Sequence, residues 1–211
     1  MRRLKIAIDI DDVLADNAEK FTAFSNQRFN TRLTTDDYDE DWSKMWQVDI
    51  NVVRSRAKEF HDSDAMAFYD VKDKAIDVLS RFSDKHDLLV ITSRRVQVRE
   101  VTHIWLSDHY PGIFHQDNVH FAGIWDKFDD QSINQTKASL VNSLGVDVLI
   151  DDQPKHCIGA ASVGTKAILF GDYSWNRTAS LPEDIMRCRS WLDVERSIEQ
   201  MASHEPRGLV R

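Results

Sequence analysis

The sequence predicts an α/β fold: a central parallel sheet of about five strands, flanked by helices, with a small helical cap inserted after the first strand. Three observations carry the prediction. Short apolar runs rich in β-branched residues recur at 5–8, 88–92, 118–122, 146–150 and 166–170, each too short for a helix. Between them lie stretches with apolar residues at helical spacing, so strands and helices alternate as crossover connections require. The alternation is broken once, between residues 16 and 67.

The elements follow in order. After the first strand, Asn17 to Phe29 reads as a helix, with Phe21 and Phe24 at helical spacing and Phe29 near the edge of the same face. The acidic run 36–41 lacks the glycine and closing glutamate of a calcium loop and reads as a solvated face, with Thr35 or Asp36 capping a short helix. A further helix runs from about Asp49 to His61. The segment 16–67 is therefore the cap, and 1–15 with 68–202 the core. Ala75, Val78, Leu79 and Phe82 stripe the next helix, which ends near Lys85; Val96 to His109 forms another, stopped by Pro111-Gly112. Lys137, Leu140, Val141 and Leu144 share a helix closed by Gly145, and Pro154 opens the following one at its tolerated first position. Trp191 to Met201 is the last helix, and the tail 203–211 is expected to be frayed and disordered.

Composition narrows the class. A chain of 211 residues can bury a substantial core, and a formal charge of -8 argues against coating a nucleic-acid polymer, where Lys and Arg must neutralise phosphates. Cys157 and Cys188 form no disulfide framework or metal-ligand spacing and read as buried free thiols. Met1-Arg2-Arg3 mimics a signal-peptide start, but Asp9 interrupts the apolar run, and no later stretch could span a bilayer. The expectation is a cytoplasmic protein that does not bind membranes. Gly159 to Lys166 mimics a phosphate-binding loop, but its Thr and Lys are in the wrong order and it precedes a strand.

The polar ends of the strands carry the chemistry. The first delivers Asp9, Asp11 and Asp12, three carboxylates in four residues. Alone, such a run is a solvated turn; at the mouth of a buried strand, mutual repulsion calls for a cation. The second strand delivers Thr92 and Ser93, and the fourth Asp151 and Asp152. Parallel strands end on one edge, so these groups converge, with Lys137 offered from the start of the helix preceded by Ser132-Ile133-Asn134-Gln135-Thr136. The ordered set of Asp-x-Asp, Thr/Ser, Lys and Asp-Asp resembles the haloacid dehalogenase (HAD) superfamily of phosphohydrolases. Within it, Asp9 to Asp16, Ile91-Thr92-Ser93, Leu149 to Pro154 and Arg189-Ser190-Trp191 are similar to the 5′-nucleotidase type C family, which includes deoxyribonucleotidases. Asp12 stands where many members carry Gly, Arg94 where the animal enzymes have Pro, and the stretch before Lys137 is long.

The resemblance implies a HAD-like, Rossmannoid three-layer α/β/α core and phosphomonoester hydrolysis. That reaction needs a nucleophile, a proton donor for the leaving oxygen and positive charge around the phosphoryl group. Asp9 suits the first role, through an aspartyl-phosphate, and Asp11 the second. Asp9, the main-chain carbonyl of Asp11, and Asp151 or Asp152 would hold Mg²⁺, since oxygen-only ligands favour that ion. Thr92, Ser93 and Lys137 would bind phosphate. The substrate is expected to be a small phosphorylated metabolite, first a (deoxy)nucleoside monophosphate, with a sugar phosphate as the alternative. A receiver domain, which is shorter, has no cap and takes its phosphoacceptor from a central strand, fits poorly, and the intact Asp9/Asp11 pair argues against an idle binding protein. Selectivity would come from the cap. There the phenylalanines are expected to form its core, and Trp42 and Trp46 an exposed pair that stacks on a base.

Overall fold

The computed structural model describes residues 2–123 and 135–203. The segment Ser132-Ile133-Asn134 ahead of Lys137 and the tail 204–211 lie outside the described residues. Six strands form one parallel sheet: β1 (Lys5–Ile8), β2 (Asp87–Thr92), β3 (Val119–Phe121), β4 (Val148–Asp151), β5 (Lys166–Phe170) and β6 (Ile185–Cys188). Their spatial order is β3-β2-β1-β4-β5-β6. The chain builds outward from β1 in one direction and then in the other, so the connections diverge at the β1–β4 boundary. Divergence there opens a crevice beyond the carboxyl ends of those two strands.

Side-chain alternation explains the layers. Along β1, Ile6 and Ile8 join the apolar cluster that includes Phe82, Trp105 and Trp191, while Ala7 joins Leu89, Leu149, Leu140 and Cys157 on the other face. Both faces are covered, which is why these strands read as continuous apolar runs. Helices α4 (Ala75–Ser83), α5 (Arg99–His109) and α8 (Trp191–Ser203) supply residues to the first cluster, and α6 (Lys137–Ser143) and α7 (Pro154–Ser162) to the second. Pro154 occupies the first turn of α7, and Thr136 caps α6 by accepting from Ser139 N at 3.1 Å.

The sheet has six strands rather than about five. Strand β6 pairs with β5 from Ala167↔Ile185 to Phe170↔Cys188, but it is a four-residue edge whose Met186 and Arg187 are half-buried, so it carries no apolar run. Residues 96–98 form a single tight turn before α5, and α8 extends to Ser203. Cys157 and Cys188 are buried and free. Among the described residues no helix is long and apolar enough to cross a membrane.

Between β1 and α4 lie α1 (Asn17–Phe29), α2 (Trp42–Trp46) and α3 (Ile50–His61). Their centre is aromatic. The Phe21 ring lies 4.7 Å from Trp42, 5.6 Å from Trp46 and 4.7 Å from Phe60. The tryptophan pair expected to be exposed is so only in part, because Trp46 is buried. Trp42 and Trp46 do share a face of α2, but Trp46 is enclosed while Trp42 stays half-buried at the cleft. Trp46 is 6 % exposed, and its indole N–H donates to Ser25 Oγ at 3.2 Å. A tryptophan buries more apolar area than any other side chain, so a short helix in a polar stretch gains most by turning these rings toward that centre, which encloses Trp46 and leaves Trp42 half-buried at its edge.

Candidate active site

The turn after β1 is built to hold its carboxylates still. Asp9 N continues the sheet by donating to Ile150 O at 2.9 Å, and Leu14 N and Ala15 N fold back onto Ile10 O. Three consecutive carbonyls then take donors from distant parts of the chain. Asp12 O accepts from Tyr173 OH at 2.7 Å, Val13 O from Trp191 Nε1 at 2.9 Å and Leu14 O from Tyr110 OH at 2.9 Å. Trp191, recognised in the sequence only as part of a similar motif, thus anchors the turn.

Asp9, Asp151 and Asp152 each place an oxygen within 4.8 Å of the others. The Lys137 ammonium bridges two of them, 2.9 Å from Asp9 Oδ2 and 2.7 Å from Asp151 Oδ2. Asp151 is fully buried, and its other oxygen accepts from Gln153 N at 2.9 Å. Asp152 Oδ2 accepts from Gln153 Nε2 at 2.9 Å and Trp175 Nε1 at 2.7 Å. Asp9 Oδ1 is buried and has no hydrogen-bond partner.

Charge makes the same point. Five carboxylates, at 9, 11, 12, 151 and 152, face the cations Lys72, Arg94 and Lys137, so negative charge is in excess. Burial pushes Asp9 up to about 8 against the pull of Lys137, with Asp151 and Asp11 adding to the rise. Burial, then Asp151, lifts Asp152 well above the usual carboxylate range. Burial pulls the Lys137 ammonium down, but Asp151 and Asp9 outweigh it and hold it cationic. An orphaned buried carboxylate oxygen within an all-oxygen, over-negative donor set fits a hard divalent cation.

Asp9, Asp11, Asp12 and Asp152 line one cleft with Ser93. The Ser93 hydroxyl is buried and unpartnered. Thr92 is fully buried below it, its Oγ1 accepting from Arg94 N at 3.2 Å. The Thr92 hydroxyl and the Ser93 main-chain N–H were the groups expected at the phosphate; of the two residues it is Ser93 that lines the cleft. Asp11 is gripped by Arg94, Nη2 to Oδ1 at 2.7 Å and Nε to Oδ2 at 3.0 Å, while Arg94 Nη1 donates to Thr102 Oγ1 at 3.2 Å. Across the cleft the helical segment contributes Tyr38, Trp42, Val53, Phe60, His61 and Met66. His61 is pulled down to about 4, first by burial and then by the Arg95 charge, so it is neutral near pH 7.

Three contributors were not assigned from the sequence. Arg94 was visible only as a departure from a motif. His61 is a lone histidine with no ligand partner. Trp175 lies in the loop after β5, where no spacing rule points to it.

The whole chain has known relatives. The family model described as "5′ nucleotidase, deoxy (Pyrimidine), cytosolic type C protein" matches residues 2–204. A protein of Halalkalibacterium halodurans named "Putative nucleotidase BH1399" is 22 % identical over 205 residues, 94 % of each chain. Among solved structures, the haloacid dehalogenase-like family protein SP0104 of Streptococcus pneumoniae superposes with a TM-score of 0.67 at 13 % identity, over 93 % of this chain and 98 % of that one. The HAD-hydrolase YfnB of Bacillus subtilis, in a magnesium-bound structure, gives 0.62 at 14 % identity, over 97 % and 100 %.

Proposed function

The chain belongs to the 5′-nucleotidase type C family, phosphomonoester hydrolases on a HAD-like fold, and on that premise we propose a Mg²⁺-dependent phosphatase of nucleoside monophosphates acting through Asp9. The nucleophile is the Asp9 carboxylate, whose Oδ1 is unpartnered at the cleft floor. Its oxygen forms a bond to phosphorus as the ester P–O bond breaks, and Asp11 gives a proton to the departing alkoxide. Asp11 then takes a proton from water as that water attacks the aspartyl-phosphate, releasing phosphate and restoring Asp9. Asp9, Asp152 and the Asp11 carbonyl are the ligands for Mg²⁺, which when bound neutralises phosphoryl charge. Oxygen-only donors support that ion, as does the magnesium in the YfnB structure. Lys137 holds Asp9 and Asp151 in place, and Ser93 donates its free hydroxyl to phosphate.

The observation that carries the substrate class is the cleft's upper half. A phosphoryl group needs only the strand ends, yet Trp42, Tyr38, Phe60, Val53 and neutral His61 extend the cleft with aromatic and apolar surface. Such a surface suits a base more than a sugar. Trp42, not the buried Trp46, is the stacking residue.

Phosphate release from a panel of nucleotides, sugar phosphates and p-nitrophenyl phosphate tests the reading. Nucleoside monophosphates are expected to have the highest kcat/KM, and EDTA to abolish release. Trp42→Ala should raise KM for a nucleotide about 5–150-fold, the worth of one stacked base, with little effect on p-nitrophenyl phosphate. Sugar phosphates at the head of the ranking would return the cleft to the alternative substrate, and full activity after chelation would remove the metal. Asp9→Asn should be inactive; a tenth of wild-type turnover would exclude covalent catalysis through Asp9.

A further inference from the structure

The loop 171–177, between β5 and β6, ties the ends of those strands together, with Gly171 N donating to Cys188 O at 2.8 Å, and reaches from there into the site. Gly171 starts it at φ 83°, and a Cβ there would lie 2.2 Å from the Tyr173 ring, so the loop closes tightly on itself. Asn176 is fully buried. Its Nδ2 donates to Asp152 O at 3.0 Å and Phe170 O at 2.9 Å, while its Oδ1 accepts from Tyr173 N at 3.1 Å. Tyr173 reaches Asp12 O, as described, and stacks on Trp175 with centroids 4.5 Å apart and planes 6° from parallel. That stack aims the Trp175 indole N–H at Asp152 Oδ2, 2.7 Å away. Trp175 also meets the Tyr38 ring of the helical segment edge-on at 5.3 Å, and Ser174 Oγ donates to Asp36 O at 3.0 Å.

From this geometry we propose that Trp175 is a positioning residue for the metal site, fixing the Asp152 carboxylate by its indole N–H so that Oδ1 is presented to the cation. The inference rests on the metal site proposed above. A carboxylate oxygen has two lone pairs, and Oδ2 spends both, on Gln153 and on Trp175. Oδ1 is therefore the atom left for the metal, in an orientation that the indole holds. Without that donor, Oδ2 competes for the ion and the carboxylate is free to turn. Partners that orient a metal ligand in this way are worth about 10–100-fold in affinity.

Mg²⁺ binding to the full chain, measured by calorimetry without substrate, tests this. Trp175→Phe keeps an aromatic ring beside Tyr173 and removes the N–H, at the cost of a smaller ring. It is expected to bind Mg²⁺ about 10–100-fold more weakly, and in EDTA to unfold at the wild-type temperature. Wild-type Mg²⁺ affinity in Trp175→Phe overturns the proposal while leaving the proposed function standing; a wild-type chain that binds no Mg²⁺ removes the metal site itself. Should the variant fail to fold, the wild type carries the test. In its nitrogen–proton correlation spectrum the Trp175 indole resonance should shift as Mg²⁺ is added, and an unmoved resonance overturns the proposal equally.

Discussion

At the scale of single residues, Asp12 has a backbone role as well as a charge. Its φ of 59° lies in the left-handed region, where glycine is unstrained and Asp is among the better-tolerated alternatives. Its carboxylate accepts from Ala18 N at 3.0 Å, one of the unpaired amides at the start of α1. Both Asp12→Gly and Asp12→Ala lose that bond, but only alanine keeps the strain. In urea unfolding, alanine is expected to be the less stable by about 1 kcal/mol; equal stability would mean that the turn relaxes. Arg94 supports a second prediction. Its fork holds Asp11 by two nitrogens, and a charged hydrogen bond is worth about 1.5–3 kcal/mol. Arg94→Ala should lower kcat/KM about 10–150-fold, and Arg94→Lys should recover little of it because a point charge cannot reproduce the fork. Unchanged kinetics would make the pair a bystander. The sequence marks 9–12 as a candidate site, since clustered carboxylates at a strand end demand neutralisation. Which partner each one takes depends on residues as near as Asn17 to Asp12 and as far as Lys137 to Asp9, and no local pattern encodes that.

At the scale of elements, the strands were legible because burial on both faces leaves continuous apolar runs, and the long helices because their stripes recur at helical spacing. The short pieces were not. In α2 a tryptophan pair with one ring buried and one half-buried follows directly on a run of Asp and Glu, and β6 is a half-exposed edge. The seating of the helical segment on the core was hidden too, because it depends on Glu40 meeting the first turn of α7. Glu40 pairs with the Lys155 ammonium and lies 3.8 Å from His156 Nε2. Burial alone would raise Glu40; His156 and Lys155 outweigh it and bring it down to about 2. For a depressed carboxylate the stabilisation is complete above the ordinary value of 4.5 and is lost as pH falls toward about 2. His61, depressed to about 4, has the same sign. The unfolded chain takes up a proton first, so its contribution is complete above 6.5 and fades as pH falls toward about 4. Amide exchange over residues 35–62, corrected for intrinsic rate, should therefore show protection falling on acidification from about pH 7 to pH 4. His61→Phe should flatten the upper part of that fall. Protection that is level across the range would show that the segment is seated by its aromatic packing alone.

At the scale of the whole molecule, the strand order and the charge distribution explain each other. The order β3-β2-β1-β4-β5-β6 puts β1 and β4 side by side at the point where the connections diverge, so Asp9 and Asp151-Asp152 meet over the crevice. Convergence on one edge was legible from the parallel alternation alone; adjacency of these two strands was not, because order in a sheet is set by crossover paths and not by any strand's own residues. The consequence is a fold that concentrates buried negative charge at its own centre, which weakens the metal-free state. A cation that binds only the folded chain must then stabilise it by an amount set by concentration over affinity, about 2.7 kcal/mol at a hundredfold excess over Kd. For a chain of this length that is a rise in Tm of about 5–10 °C. Asp152→Asn separates the two effects. It removes a buried carboxylate pushed well above its usual range, so in EDTA it should unfold at or above the wild-type temperature. It also removes a proposed ligand, so saturating Mg²⁺ should raise its Tm far less than that of the wild type. A full Mg²⁺-induced rise in Asp152→Asn would take residue 152 out of the metal site. A large loss of stability in EDTA would mean instead that Gln153, Trp175 and the carboxylate stabilise the fold by more than its buried charge costs.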